Sequence, residues 1–121
     1  KIDGSLQISK NNDDSYKTTI SNGTVNSVIF MATSDRRLKE NIREFKPEKS
    51  ILELPIVKYD FIEGEKGVVG CIAQDLLEIC PEIVHEGDDG FLRIEESKIV
   101  YLLLDEVRKL RKELDDIKKG E

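Results

Sequence analysis

Val100, Leu103, Val107, Leu110, Leu114 and Ile117 recur at alternating spacings of three and four residues. That is the heptad seam of a helix over 96–119, with these residues at a and d, and such a seam needs a second helix to cover it. Glu106 and Glu113 then fall at g, with Arg111 and Lys118 five residues on at e. This is the g-to-e′ arrangement that pairs charges between parallel helices. Tyr101, Leu102 and Leu104 widen the apolar face at the start, which predicts that this end also packs on a domain. Val/Leu layers favour dimers and Leu114/Ile117 favour trimers or tetramers, so the seam alone leaves the number open. A lone amphipathic helix on a globular core is the competing arrangement.

Composition adds a second reason to expect assembly. Of 121 residues, 38% are hydrophobic and 36% charged, with no Trp and one Met, so a single-chain core would be thin. The formal charge of −6 weighs against a general nucleic-acid or anionic-membrane surface, and neither partner is expected. No apolar run approaches ~20 residues and no charged-then-apolar leader opens the chain, so neither a membrane span nor export is expected. The start at Lys1 reads as a fragment of something longer. Cys71 and Cys80 are too few for a disulfide scaffold, and with His85 as the single His they give no zinc ligand set. Both are expected to be small buried hydrophobes in a reducing, cytoplasmic environment, and no metal or diffusible cofactor is expected.

Three segments differ in grammar, and together they predict an α+β chain. Residues 1–33 carry three Lys and three Asp, so all of the net charge belongs to 34–121. Leu6 and Ile8, then Tyr16, Thr18 and Ile20, alternate as in strands, and Asn22-Gly23 is a two-residue hairpin signal. Val28 to Met31 is a continuous apolar patch. So few apolar residues cannot bury a core alone, so these short strands need other chains to cover them. Residues 34–95 read as a small α+β unit. A helix is predicted from Pro47 to Leu54, strands over 56–62 and 68–73, and a short helix over 75–79 ending near Pro81. A last hairpin turns at Asp88-Asp89-Gly90. Residues 96–119 are the heptad helix.

Isolated chemical motifs are few. Gly64, Gly67 and Gly70 lack the Lys-Ser/Thr ending of a phosphate loop. Asp88-Asp89-Gly90 lacks the rest of a calcium loop and reads as a turn. His85 stands alone, and Arg36-Arg37 with Lys39 reads as a solvated basic face.

One constellation is more specific. Ser34-Asp35-Arg36-Arg37-Leu38-Lys39-Glu40-Asn41-Ile42 lies at the junction of the first two segments, followed by Gly70-Cys71-Ile72-Ala73-Gln74-Asp75, Cys80-Pro81-Glu82 and the heptad helix. The order S-D-x-R-L-K-x-N-I, then G-x-I-A-Q-[DE], then P-E and a Leu-rich helix resembles the C-terminal intramolecular chaperone auto-processing domain of phage tail spikes, tail fibres and neck appendages. The same domain occurs in the myelin regulatory factor family of transcription factors. The resemblance covers residues 34–118. It implies a domain that helps three chains assemble a β-rich fibre and then cuts itself off with a serine–lysine dyad.

Carried over, Ser34 matches the nucleophile and Lys39 its basic partner, with cleavage between Thr33 and Ser34. Residues 1–33 would be the fibre end that stays with the virion tail or appendage. The rest would be the chaperone released in the host cytoplasm during assembly, its C-terminal helix in a parallel trimeric coiled coil. The only partners implied are two further copies of the chain and its own upstream fibre segment.

The chemistry sets conditions. A serine hydroxyl needs a base to become a nucleophile, and a free lysine, with a reference pKa near ~10.4, is charged at neutral pH. Lys39 must therefore be desolvated or set near another cation, a field that Arg36 and Arg37 could supply and Asp35 and Glu40 would oppose. Residues five apart on a straight α-helix point ~140° from one another, so Ser34 must sit off the helix, as at its N-cap, or the chain must bend. Gln74 and Asp75 would either position the scissile carbonyl or cap the following helix. Asn41 would either donate to an oxyanion or bond local backbone. Leu38, Ile42, Ile72 and Ala73 are expected in the core. Two alternatives stand beside self-cleavage: a non-cleaving trimeric cap in which Ser34 merely caps a helix, and a coiled-coil adaptor of unrelated ancestry.

Overall fold

The computed structural model describes residues 5–9, 17–21, 23–27 and 29–120. The chain divides into two compact units, Lys1–Arg43 and Glu44–Glu121. The Ser34–Ile42 block therefore lies with the strands, in the first unit.

In that unit β1 (Ser5–Ser9), β2 (Lys17–Ser21) and β3 (Thr24–Asn26) form an antiparallel sheet in chain order. Leu6 pairs with Ile20 and Ile8 with Thr18, which is the alternation that the apolar pattern predicts. Ser21 faces Thr24, so β2 and β3 are joined by two residues, and Gly23 has the positive φ of +76° that such a turn requires. Tyr16, Asn22 and Val28 of the predicted pattern lie outside the described residues.

From 29 to 43 the chain is exposed throughout. Ile29, Phe30, Met31, Leu38 and Ile42 are all at least 60% accessible. The expectation that Leu38 and Ile42 are core residues is corrected for the single chain. Their apolarity signals a need for cover, which the described residues of their own unit do not provide.

The second unit holds a small core. Ile51, Leu76, Ile79, Cys80, Ile83, Val84 and Leu102 are buried, with Leu54, Ala73, Leu92, Ile94 and Ile99 packed around them. Its elements are β4 (Val57–Tyr59), β5 (Val68–Gly70), α1 (Ala73–Ile79), β6 (Val84–Glu86), β7 (Leu92–Ile94) and α2 (Ile99–Lys119). α1 contributes Leu76 and Ile79, one turn apart and therefore on one face. It stops at Cys80 because Pro81 follows and opens a 3-10 turn, Pro81–Ile83. Two antiparallel hairpins complete the unit, β4–β5 and β6–β7. The second turns at the predicted Asp88-Asp89-Gly90, with Gly90 at φ +83°. There the Asp89 carboxylate accepts from the Phe91 amide and from Arg93, which lowers its pKa to about 2.

Three sequence expectations need correction here, the first being that Ile72, expected in the core, is 39% exposed. Pro47–Leu54 is not a helix: only Ile51–Glu53 forms one 3-10 turn, capped by Ser50, whose hydroxyl accepts from the Leu52 amide. A stretch bounded by Pro47 and Pro55 is too short to repay helix nucleation, and the capping Ser sits inside it. Cys80 is buried as expected, but Cys71 is only half-buried. Burial pushes both thiols up.

α2 carries an exposed apolar stripe. Leu102 anchors its first turns in the core, while Tyr101 and Leu104 remain exposed. Leu102 and Asp105 lie on one side of the helix and the a/d seam on another, ~130° away at 100° per residue. Asp105 binds Lys46 and Lys109 at 3.1 and 3.0 Å; hydrogen bonds from both cations, Lys109 first, hold its carboxyl below the usual range. Every seam residue, Val100 through Ile117, is between 46% and 65% accessible. Within its own chain Glu106 accepts a 2.7 Å hydrogen bond from Ser50.

Candidate active site

The Ser34–Ile42 block has no buried residue, so local hydrogen bonds rather than packing shape it. Asp35 has extended backbone angles, φ −68° and ψ 131°, and its carboxylate accepts from the Arg37 amide at 2.8 Å. This N-cap starts a single 3-10 turn, Arg36–Leu38. The turn closes with Leu38 N–H to Asp35 C=O and Lys39 N–H to Arg36 C=O, both 3.1 Å. Lys39 then returns to extended angles. Asn41 follows at φ +53°, a left-handed conformation that Asn tolerates better than most residues. Its carbonyl accepts from Arg43 at 2.8 Å.

The turn brings Ser34 and Lys39 together. Lys39 Nζ donates to Ser34 Oγ at 2.5 Å. The chain bends, as the ~140° separation on a straight helix requires, and Ser34 sits one residue before the cap. The cap is Asp35, not Ser34, so the alternative in which Ser34 serves only as a helix cap loses its structural basis. Thr33, whose carbonyl would be attacked, is exposed beside the pair.

Electrostatics around the pair differ from the sequence expectation in one respect. Arg37 does not act as a free cation near Lys39. Its Nε and Nη2 bind the two Asp35 oxygens at 3.0 and 2.8 Å, a fork-to-fork contact. These side-chain bonds, with the Arg37 amide, hold the Asp35 carboxyl below its ordinary value and raise the guanidinium. Arg37 stands on the expected solvated face, 88% exposed, and the acid two residues before it is the sequence signal for this pairing.

Ser34 and Lys39 are both exposed. Contact is therefore present in one chain, whereas exclusion of water is not. The bond direction also matters: as donor, the lysine holds the serine oxygen, and only after losing a proton can it accept one from the hydroxyl.

The other candidates lie in the second unit. Gln74 is exposed and Asp75 half-buried, both in the first turn of α1. The helix begins at Ile72 without a side-chain cap, so neither residue caps it. Asp75 places a negative charge at the positive end of the helix, a mildly favourable position. His85 pairs with Glu95 at 2.7 Å across the β6–β7 hairpin, an exposed structural contact. Among the described residues no group of His, Cys, Asp and Glu could hold a metal ion, and no helix is long and apolar enough to cross a membrane.

No curated protein and no solved structure matches the chain. A family model described as chaperone of endosialidase (Peptidase_S74) matches residues 34–85. The match starts at Ser34 and takes in both the S-D-x-R-L-K-x-N-I and the G-x-I-A-Q-D blocks, so residues 34–85 are similar to the chaperone of endosialidase family, in line with the resemblance that those blocks carry.

Proposed function

We propose that this chain is an intramolecular chaperone that brings three copies of a phage fibre or appendage protein together and then releases itself by cutting between Thr33 and Ser34. The observation that carries the reading is the Lys39–Ser34 contact at the first residue of the family match. Residues 1–33 are the fibre end that remains, with strands that gain cover from the other two chains. The α2 seam forms a parallel three-stranded coiled coil. Assembly takes place in the host cytoplasm, and the upstream part stays with the virion.

The cut precedes its nucleophile, which fixes the bond changes. Ser34 Oγ attacks the Thr33 carbonyl carbon while Lys39, as the neutral amine, takes the hydroxyl proton. The Thr33–Ser34 C–N bond breaks, and the proton passes from Lys39 to the leaving Ser34 nitrogen. An ester between Thr33 and Ser34 Oγ remains. One water then hydrolyses it, giving a Thr33 carboxylate and a free Ser34 with its hydroxyl and amine restored. Burial disfavours the ammonium form, so covering the exposed pair on assembly is what frees the amine. Leu38, Ile42 and the Ile29–Met31 run are the apolar side chains available to exclude water there.

Exposure of the pair in one chain favours a second reading, a trimeric cap that never cuts. Intact mass of the refolded chain decides between them. Self-cleavage predicts two fragments, one beginning at Ser34, in wild type and none in Ser34→Ala. A mass that stays whole in assembled wild type supports the cap.

A further inference from the structure

We infer that Asp35 and Arg37 are positioning residues for the dyad: their clamp holds the 3-10 turn that folds Lys39 back onto Ser34. The inference rests on the self-cleavage reading for its kinetic consequence, although the geometry of the clamp stands without it.

The argument starts from what else could hold this turn. None of its residues is buried. Short 3-10 pieces have poor hydrogen-bond geometry and few bonds per fixed residue. Two backbone bonds of 3.1 Å close it, and the remaining local constraint comes from Asp35. One carboxylate oxygen takes the Arg37 amide and Nε, the other takes Nη2. The same residue thus satisfies the backbone at the turn's start and fixes the side chain at its middle. The ends of the turn are the two reacting residues, Ser34 before the cap and Lys39 after the last turn residue. If the turn opens in the single chain, the lysine amine leaves the serine oxygen, because no packing within that chain returns it.

Asp35 touches neither member of the dyad in these contacts and acts through the turn. A hydrogen-bond acceptor without charge preserves the cap but weakens the clamp, which orders the variants. Asp35→Ala loses both functions, and its cleavage rate is expected to fall about tenfold, the equivalent of a lost cap together with an ion pair. Asp35→Asn and Arg37→Ala each lose one function and are expected to fall by about threefold.

A thiol in place of the serine reports the geometry without any cleavage. In dilute Ser34→Cys chain, alkylation read peptide by peptide across pH gives the thiol's titration. With Lys39 held against it, the thiol is expected to titrate about one unit below the free value of ~8.5. Adding Asp35→Ala or Arg37→Ala is expected to return it to ~8.5, as is adding Lys39→Ala. Loss of both rate and thiol shift in the Asp35 and Arg37 variants supports the clamp. A wild-type cleavage rate in Asp35→Ala overturns it, and so does a thiol titration that Asp35→Ala leaves in place. If wild type fails to cut, the self-cleavage reading falls, and the thiol titration still decides the clamp.

Discussion

Lys39→Arg is expected to leave the 121-residue chain whole under conditions in which wild type cuts itself, with at least a thousandfold loss of rate. Arginine can still donate to Ser34 Oγ, so contact and charge are both retained. What it cannot do is give up its proton, since a guanidinium stays charged in proteins. The variant therefore separates two roles for position 39 that Lys39→Ala would remove together. Removing a member of a nucleophile–base pair commonly costs several orders of magnitude. Intact mass over time reads the outcome, beside Ser34→Ala as the uncut reference. Oligomeric state, measured in parallel, is expected to match wild type, because position 39 lies outside the seam. Cutting by Lys39→Arg at the wild-type rate would remove Lys39 as the base.

Leu110→Asp is expected to abolish both assembly and cutting. Leu110 stands at d, 65% accessible in the single chain, and it is absent from the core of the second unit. In a three-stranded seam the substitution places three carboxylates together on the axis. Each must be desolvated or protonated, at a cost of several kcal/mol. The monomer loses nothing comparable. Circular dichroism should keep the signal of the second unit while sedimentation shifts from trimer to monomer. Cleavage is expected to fall at least a hundredfold, because the exposed Ser34–Lys39 pair then stays in water. Lys112→Asp is the matched control: it sits at f, off the seam, and should remain assembled and active. A monomeric Leu110→Asp that cuts at the wild-type rate would separate cutting from assembly.

The parts of this molecule legible in its sequence are those in which local pattern and tertiary context agree. α2 follows from its heptads, the β6–β7 turn from Asp88-Asp89-Gly90, and the end of α1 from Pro81. The failures have identifiable causes. Pro47 and Glu48 looked like a helix start, but Ser50 three residues on takes the cap, and Pro55 leaves room for only one turn. The apolarity of Leu38 and Ile42 predicts burial, and apolarity does not say which chain does the burying.

The candidate site divides the same way. The motif singles out Ser34 and Lys39, and the structure brings them into contact through the bend that their five-residue spacing requires. Arg37 does stand on a solvated face, with its side chain 88% exposed; its pairing with Asp35 through three hydrogen bonds adds to that reading and is not evident from charge alone. Gln74 and Asp75 occupy the first turn of α1 and do not cap it.

The central claim is that one chain supplies the contact and assembly supplies the dry environment. Its most direct test is the initial rate of Thr33–Ser34 cleavage as a function of chain concentration, with trimer content measured in the same samples. The account predicts a rate per chain that rises steeply with concentration, follows the trimer fraction and levels off when assembly is complete. A rate per chain that is constant from fully monomeric to fully trimeric samples would contradict it.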